Sequence, residues 1–243
     1  MFYKARFMND RGISIVFPVI FLWLLTGCGH LDTAGHTNSL EYLAYNDHPL
    51  CAREIFWLKE GPQTRETSLI RQACNRIKGQ KQIKGQKRRE LLHKAIDYIW
   101  YNFRFDNWYL DKAFMRTADE IFKDGVLGGC SDFAVVEVAL FRALAIPARM
   151  VLTVNMDWIS AYKTNELIIP SGHVFIELYL EKEWYLFDPV YCILYQDYDT
   201  DLKNFPRKEC FVIRVRDFFD VGIKKLSDVI QLYQAFALEF DLR

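Results

Sequence analysis

The sequence has no net charge to speak of: 31 basic and 31 acidic residues balance. Nothing in its overall electrostatics therefore points to a nucleic-acid partner. It has no Cys-x-x-Cys or His-Glu-x-x-His pair, so the common zinc frameworks are excluded and no cofactor is expected. Histidine is scarce, with five among 243 residues, which leaves few candidates for a general base. The apolar stretch from Ile13 to Leu25, broken by Ser14 and Pro18, is shorter than the roughly 20 residues of a membrane-spanning helix. What the chain does have is 51% hydrophobic and 16% aromatic residues, enough for one ordered domain or at most two small ones.

Lys4, Arg6 and Arg11 ahead of that apolar stretch read as an export signal over residues 1–27. It ends in Leu25-Thr26-Gly27-Cys28, which resembles the lipobox of bacterial lipoproteins. The resemblance implies that Cys28 carries lipid and tethers the protein to a membrane of the cell envelope, facing the periplasm or the exterior; Gly29 after it is compatible with the outer membrane. The alternative is an uncleaved signal anchor. Residues 28–39 are small and polar and read as the tether, which places the folded domain at 40–243. In an exported chain disulfides can persist. Cys51 with Cys74 and Cys192 with Cys210 are the bridges considered, and they leave Cys130 alone.

Along the domain, Leu69, Ile70, Ala73 and Ile77 fall on one helical face, separated from a preceding helix by Gly61-Pro62. A tandem Ile-Lys-Gly-Gln-Lys from Ile77 to Lys87 reads as a solvated basic loop, with an anionic surface as the alternative partner. Leu91, Leu92, Ala95, Ile96, Ile99, Trp100 and Phe103 form a broad helical stripe. The aromatic cluster of Phe103, Phe105, Trp108 and Tyr109 reads as core sooner than as the lining of a groove. A short helix over Ala113 to Lys123 is stopped by Gly125. Strands follow: Arg149 to Val154, then "HVFIELYL" with Val174, Ile176, Leu178 and Leu180 alternating on one face, then "EWYLFD" and "ECFVIRVRDF". A last helix is expected from Leu226 to Glu239. Helices first and strands later predict an α+β fold, N-terminal helices packed on an antiparallel sheet. Asp197, Asp199 and Asp201 alternate like the start of a calcium loop. Leu202 stands where that loop needs Gly, however, and Lys208 where it needs Glu, so no metal is expected.

The chemistry concentrates at Cys130, which follows Gly128-Gly129 and opens a helix ending near Ala145 before Pro147. Helix N-termini present unpaired N–H groups and partial positive charge, so a thiolate is favoured there and an oxyanion could be received. The two glycines would let a substrate backbone approach the sulfur. His173, following a Gly at a strand start, is the one histidine placed to face a cleft. Asp188 ends the next strand. A two-residue loop, Glu181-Lys182, sets Asp188 opposite Phe175, and a four-residue loop sets it opposite His173. Either keeps the two polar residues on one face, whereas an odd-length loop would not.

Cys130, His173 and Asp188, with "GGCSDFAVVEVALFRALAIPARMV" and "GHVFIELYLEKEWYLFDPV" in that order, resemble the transglutaminase-like superfamily over about residues 90–190. The resemblance implies a papain-like fold, with Cys130 as nucleophile, His173 as general base and then acid, and Asp188 orienting the imidazole. Ala145 stands where the family has Gly, and Phe175 where it has Trp; neither removes a catalytic atom. The family also supplies an upstream oxyanion side chain, for which Trp108 and Tyr109 are candidates beside the Cys130 N–H. An arylamine N-acetyltransferase would carry Arg where Leu127 stands. The expected activity is formation of a thioester from a protein or peptide amide, resolved by water in a peptidase or amidase, or by an amine in a transglutaminase. A non-catalytic binding module is the rival.

Overall fold

The computed structural model describes residues 7–8, 14–15, 52–79, 87–166, 169–196, 198–201 and 204–240. The chain divides into two units, Met1–Thr37 and Asn38–Arg243. In the first, strands β1 (Phe7–Met8) and β2 (Ser14–Ile15) pair antiparallel. Cys28 and its lipobox, the tether, Cys51 and the middle of the basic tandem lie outside the described residues. Among those described, no helix is long and apolar enough to cross a membrane.

The second unit begins with four helices, α1 (Ala52–Phe56), α2 (Ser68–Lys78), α3 (Arg88–Asn102) and α4 (Ala118–Asp124), followed by α5 (Cys130–Ala143). A short parallel pair, β3 (Arg104–Phe105) with β4 (Val126–Leu127), brings the chain to the start of α5. The main sheet has six strands in the order β8-β7-β6-β5-β10-β9, every pair antiparallel. These are β5 (Ala148–Asn155), β6 (Gly172–Leu180), β7 (Glu183–Asp188), β8 (Ile193–Tyr195), β9 (Asn204–Phe205) and β10 (Glu209–Val215). Helix α6 (Met156–Lys163) follows β5, and α7 (Leu226–Glu239) closes the chain. This is the expected α+β fold.

Sequence and packing agree in most elements. Ile70, Ala73, Cys74 and Ile77 of α2 are buried, as are Leu91, Leu92, Ala95, Ile96 and Ile99 of α3. In α4, Thr117 and Glu120 form a reciprocal capping box and Gly125 ends the helix at φ 64°; only the left-handed region accepts that turn, and glycine enters it without a Cβ clash. Helix α5 is buried from Ser131 to Arg142, and apart from Ser131, Asp132, Glu137 and Arg142 the residues of that stretch are apolar. Val174, Ile176, Leu178 and Leu180 of β6 join the large core, while Phe175 joins a smaller cluster with Val151, Leu186 and Phe205.

The β6–β7 hairpin uses the two-residue loop: Leu180 pairs with Glu183 and Ile176 with Phe187. Glu181 and Lys182 both take positive φ, as a tight type I′ turn requires. That register keeps His173 and Asp188 on one face, two residues off direct opposition and within diagonal reach.

Three expectations need correction. Cys192 and Cys210 are not bridged to each other. Cys192 follows β7 and Cys210 lies on β10, three strand spacings away, roughly 14 Å, against a Cα separation below about 7 Å in disulfides. Cys74 carries a buried thiol, its sulfur 4.0 Å from the Leu140 carbonyl oxygen; burial pushes its pKa up to about 11. Finally, Phe105, Trp108 and Trp100 are not core: they are 44%, 85% and 49% exposed. Phe103 packs against the core, edge-on to Phe122, while Trp100 and Phe105 lay one side of each ring toward Phe133.

Candidate active site

The structure brings Cys130, His173 and Asp188 together. Cys130 is the first residue of α5. His173, on the second residue of β6, is 5% exposed, and Asp188, the last of β7, is fully buried. His173 Nε2 lies 2.9 Å from Asp188 Oδ1, which leaves Nδ1 as the nitrogen able to exchange a proton with sulfur. The Cys130 sulfur is near enough to act on the ring and raise its pKa. Burial alone would lower the imidazole pKa. The hydrogen bond to Asp188 and the Cys130 sulfur outweigh that, and the pKa is pushed up to about 9, so the imidazolium persists at neutral pH.

Asp188 is held on all sides. Its Oδ1 also accepts the N–H groups of Val190 (3.1 Å) and Tyr191 (3.2 Å), and its Oδ2 accepts Arg207 Nη1 at 3.2 Å. Burial would raise its pKa, but the hydrogen bond and charge of His173, with those two N–H groups, hold it below the usual carboxylate value. Phe175 meets the imidazole edge-on at 4.7 Å between centroids. The phenyl ring standing where the family has indole therefore walls the histidine from inside the sheet.

The turn before Cys130 is built by residues that the sequence did not single out. Arg116 pairs with Asp132 in the first turn of α5 and donates to the Val126 carbonyl oxygen at 3.0 Å, while Asp132 Oδ2 accepts the Gly128 N–H at 2.7 Å. Burial raises the Asp132 pKa, with the Arg116 charge opposing. The glycines make room first for the protein's own chain. A Cβ on Gly128 would stand 2.6 Å from the Tyr109 carbonyl oxygen, and one on Gly129 would stand 3.0 Å from Leu110 Cδ2. Tyr109 points its ring toward Arg116, 4.8 Å away, and Trp108 points outward. Leu110 is thus the side chain of this segment that borders the cysteine turn.

Four more residues come from beyond the recognised motifs. Thr153, paired with His173 across β5 and β6, lies 2.9 Å from Glu209 Oε2 and donates to the His173 carbonyl oxygen at 3.1 Å. Tyr233 of α7 donates to the Thr153 carbonyl oxygen at 2.6 Å. Arg207 lies in the turn between β9 and β10. The one hint in the sequence was the charged residue Glu209 opening an apolar strand. Among the described residues no group of His, Cys, Asp and Glu could hold a metal ion.

Residues 71–189 match the family model of the transglutaminase-like superfamily. Among solved structures, a candidate cysteine protease from Cytophaga hutchinsonii is similar, with a TM-score of 0.51 and 20% identity over 72% of this chain and 50% of that one. The chain spans about half the length of that structure, and the likeness concerns the fold. A TGase aligns at 14% identity over 71% of this chain and 37% of that one, with a TM-score of 0.36, and carries no argument. No curated protein matches the sequence. The helix-borne cysteine, strand-borne histidine and hairpin aspartate all lie inside residues 71–189, the stretch that matches the transglutaminase-like family model.

Proposed function

We propose that the protein is an extracytoplasmic cysteine hydrolase that cleaves protein or peptide amides through a thioester on Cys130. The observation that carries this reading is the grouping of a half-buried Cys130 with buried His173 and Asp188, the aspartate being fixed by two backbone N–H groups and a guanidinium. A structural thiol needs no such apparatus.

The chemistry runs in two halves. The Cys130 thiolate adds to the amide carbonyl carbon, and the oxyanion is received by the Cys130 N–H at the helix start. The imidazolium gives its Nδ1 proton to the departing amine, the C–N bond breaks, and a thioester remains. The neutral imidazole then takes a proton from water, hydroxide adds to the thioester, and the thiolate leaves. Asp188 holds the ring and stabilises its charged form throughout. An amine replacing water in the second half would make the same site a cross-linking transglutaminase.

The test is capture of the thioester. The mature domain is incubated with peptide amides and quenched in acid, and Cys130 is read by peptide mass spectrometry beside Cys130→Ala. An acyl mass on Cys130 supports the reading, and its loss to water or to an added amine separates hydrolase from transglutaminase. No acyl mass with any peptide, together with tight binding of one, would support a binding module. The tether at Cys28 belongs to the same proposal: detergent partitioning should be lost in Cys28→Ser, and unchanged partitioning would count against lipidation.

A further inference from the structure

We propose that Arg207 is a positioning residue of this site, turning the Asp188 carboxylate so that Oδ1 faces the imidazole. The inference rests on the reading of Cys130, His173 and Asp188 given above. A carboxylate turns readily about its last bond, a broad two-fold torsion. Holding one oxygen leaves that rotation soft, and holding both fixes the plane. Oδ1 has three donors, His173 Nε2 and the N–H groups of Val190 and Tyr191. Among the described residues, the donor to Oδ2 is Arg207 Nη1 at 3.2 Å.

Arg207 is itself held for the task. Its guanidinium lies over the Tyr191 ring, 4.4 Å from the centroid, so the residue whose N–H grips Oδ1 also seats the cation that grips Oδ2. Its backbone takes φ 66°, and Lys208 takes φ 61°, a region that L side chains rarely adopt. The surroundings enforce this. Pro206 precedes them, Asn155 Nδ2 donates to the Arg207 carbonyl oxygen at 3.4 Å, and Lys208 Nζ reaches Asp157 Oδ2 at 3.1 Å. The strained turn between β9 and β10 thus directs a cation to the end of β7, on the other side of β5 and β6.

Two roles predict opposite signs. A guanidinium acting only as a nearby charge repels the imidazolium, so its removal would strengthen the hold of His173 on its proton. A guanidinium that aims Asp188 supports the His173–Asp188 hydrogen bond, so its removal would weaken that hold. The other charged or titratable groups about the pair are Cys130 on α5, which acts on His173, Glu209 on β10, on which His173 acts, and Glu137 on α5 and Tyr195 on β8, on which Asp188 acts. They stay in place in an Arg207 variant.

The experiment needs no substrate. The full chain is alkylated with iodoacetamide between about pH 5 and 10.5, and the Cys130 peptide is followed by mass spectrometry. A thiolate–imidazolium pair gives two steps, the upper one marking loss of the His173 proton, near 9 in the wild type. In Arg207→Ala the upper step should move down by about one pH unit, a tenfold weaker hold on the proton. Arg207→Lys, which restores a donor, should recover most of it. Tyr191→Ala, which removes only the stacking surface, should shift the step in the same direction by less, and it serves if Arg207→Ala does not fold. An upper step that stays or rises in folded variants overturns the role of Arg207. A wild-type profile with one step, that of an ordinary thiol near 8.5, overturns the site reading itself.

Discussion

Gly172 and Tyr233 share one volume: a Cβ on Gly172 would stand 2.3 Å from Tyr233 Oη and equally close to the Thr153 carbonyl oxygen. The residue before the histidine is glycine because the phenol of the last helix lies against it, donating to that same carbonyl. Gly172→Ala must displace the helix or the strand. It should destabilise the domain by about 1–3 kcal/mol, and it should lower kcat more than thermal stability alone explains. Urea unfolding and steady-state kinetics on the same preparation check both.

The imidazolium should set the alkaline side of activity. Since the His173 pKa is pushed up to about 9, kcat/KM should fall as pH rises through that value. The same proton stabilises the fold. A histidine whose folded pKa exceeds its unfolded value of about 6.5 contributes fully below 6.5, and the contribution is lost as pH rises through about 9. Asp188→Asn replaces the carboxylate, whose charge-assisted hydrogen bond does most to raise the pKa, by a neutral amide, while burial still lowers it. The alkaline limb should move down, and kcat should drop by about 10⁴-fold, the cost of such a change in a serine triad. A pH–rate profile of the two proteins decides.

Glu137 is wholly buried two turns along α5 from Cys130, and neither carboxyl oxygen has a hydrogen-bond partner among the described residues. Burial, with the Asp188 charge adding to it, raises its pKa well above the usual value. The folded state therefore binds a proton that the unfolded state releases, and the fold loses stability as pH rises above about 4.5. Glu137→Leu should be more stable than the wild type at pH 7 by about 1–3 kcal/mol. The difference should shrink toward pH 4.5, as denaturant midpoints across pH would show.

Ala145 takes φ 62° at the turn that leads from α5 into Pro147. This is the position where the family carries glycine, and the angle supplies the reason. Ala145→Gly should relieve a left-handed alanine and stabilise the protein by about 1 kcal/mol, raising Tm by a few degrees without a change in kcat.

Much of this was legible in the sequence, and what was legible is local. The run from Cys130 to Ala143 could be placed because a helix buried nearly all round leaves a mostly apolar record, interrupted at Ser131, Asp132, Glu137 and Arg142. The bounds of α7 followed from its periodicity, and the shared face of His173 and Asp188 followed from the arithmetic of a tight hairpin. Arg207, Tyr233 and the Arg116–Asp132 pair were hidden because each acts between separate elements, where no spacing rule applies. Trp108 misled because an aromatic residue at an exposed turn is written with the same letter as one in a core. Gly128 was noticed for access to the sulfur, whereas its neighbour is Tyr109 of the same chain.

Arg207, Glu209 and Tyr233 all follow the matched region 71–189 in the chain. The matched region therefore carries the thiol, the imidazole and the carboxylate, whereas the cation on the carboxylate and the helix behind the histidine strand come from outside it. A fragment cut at residue 189 would hold the three polar groups without the contacts that fix two of them.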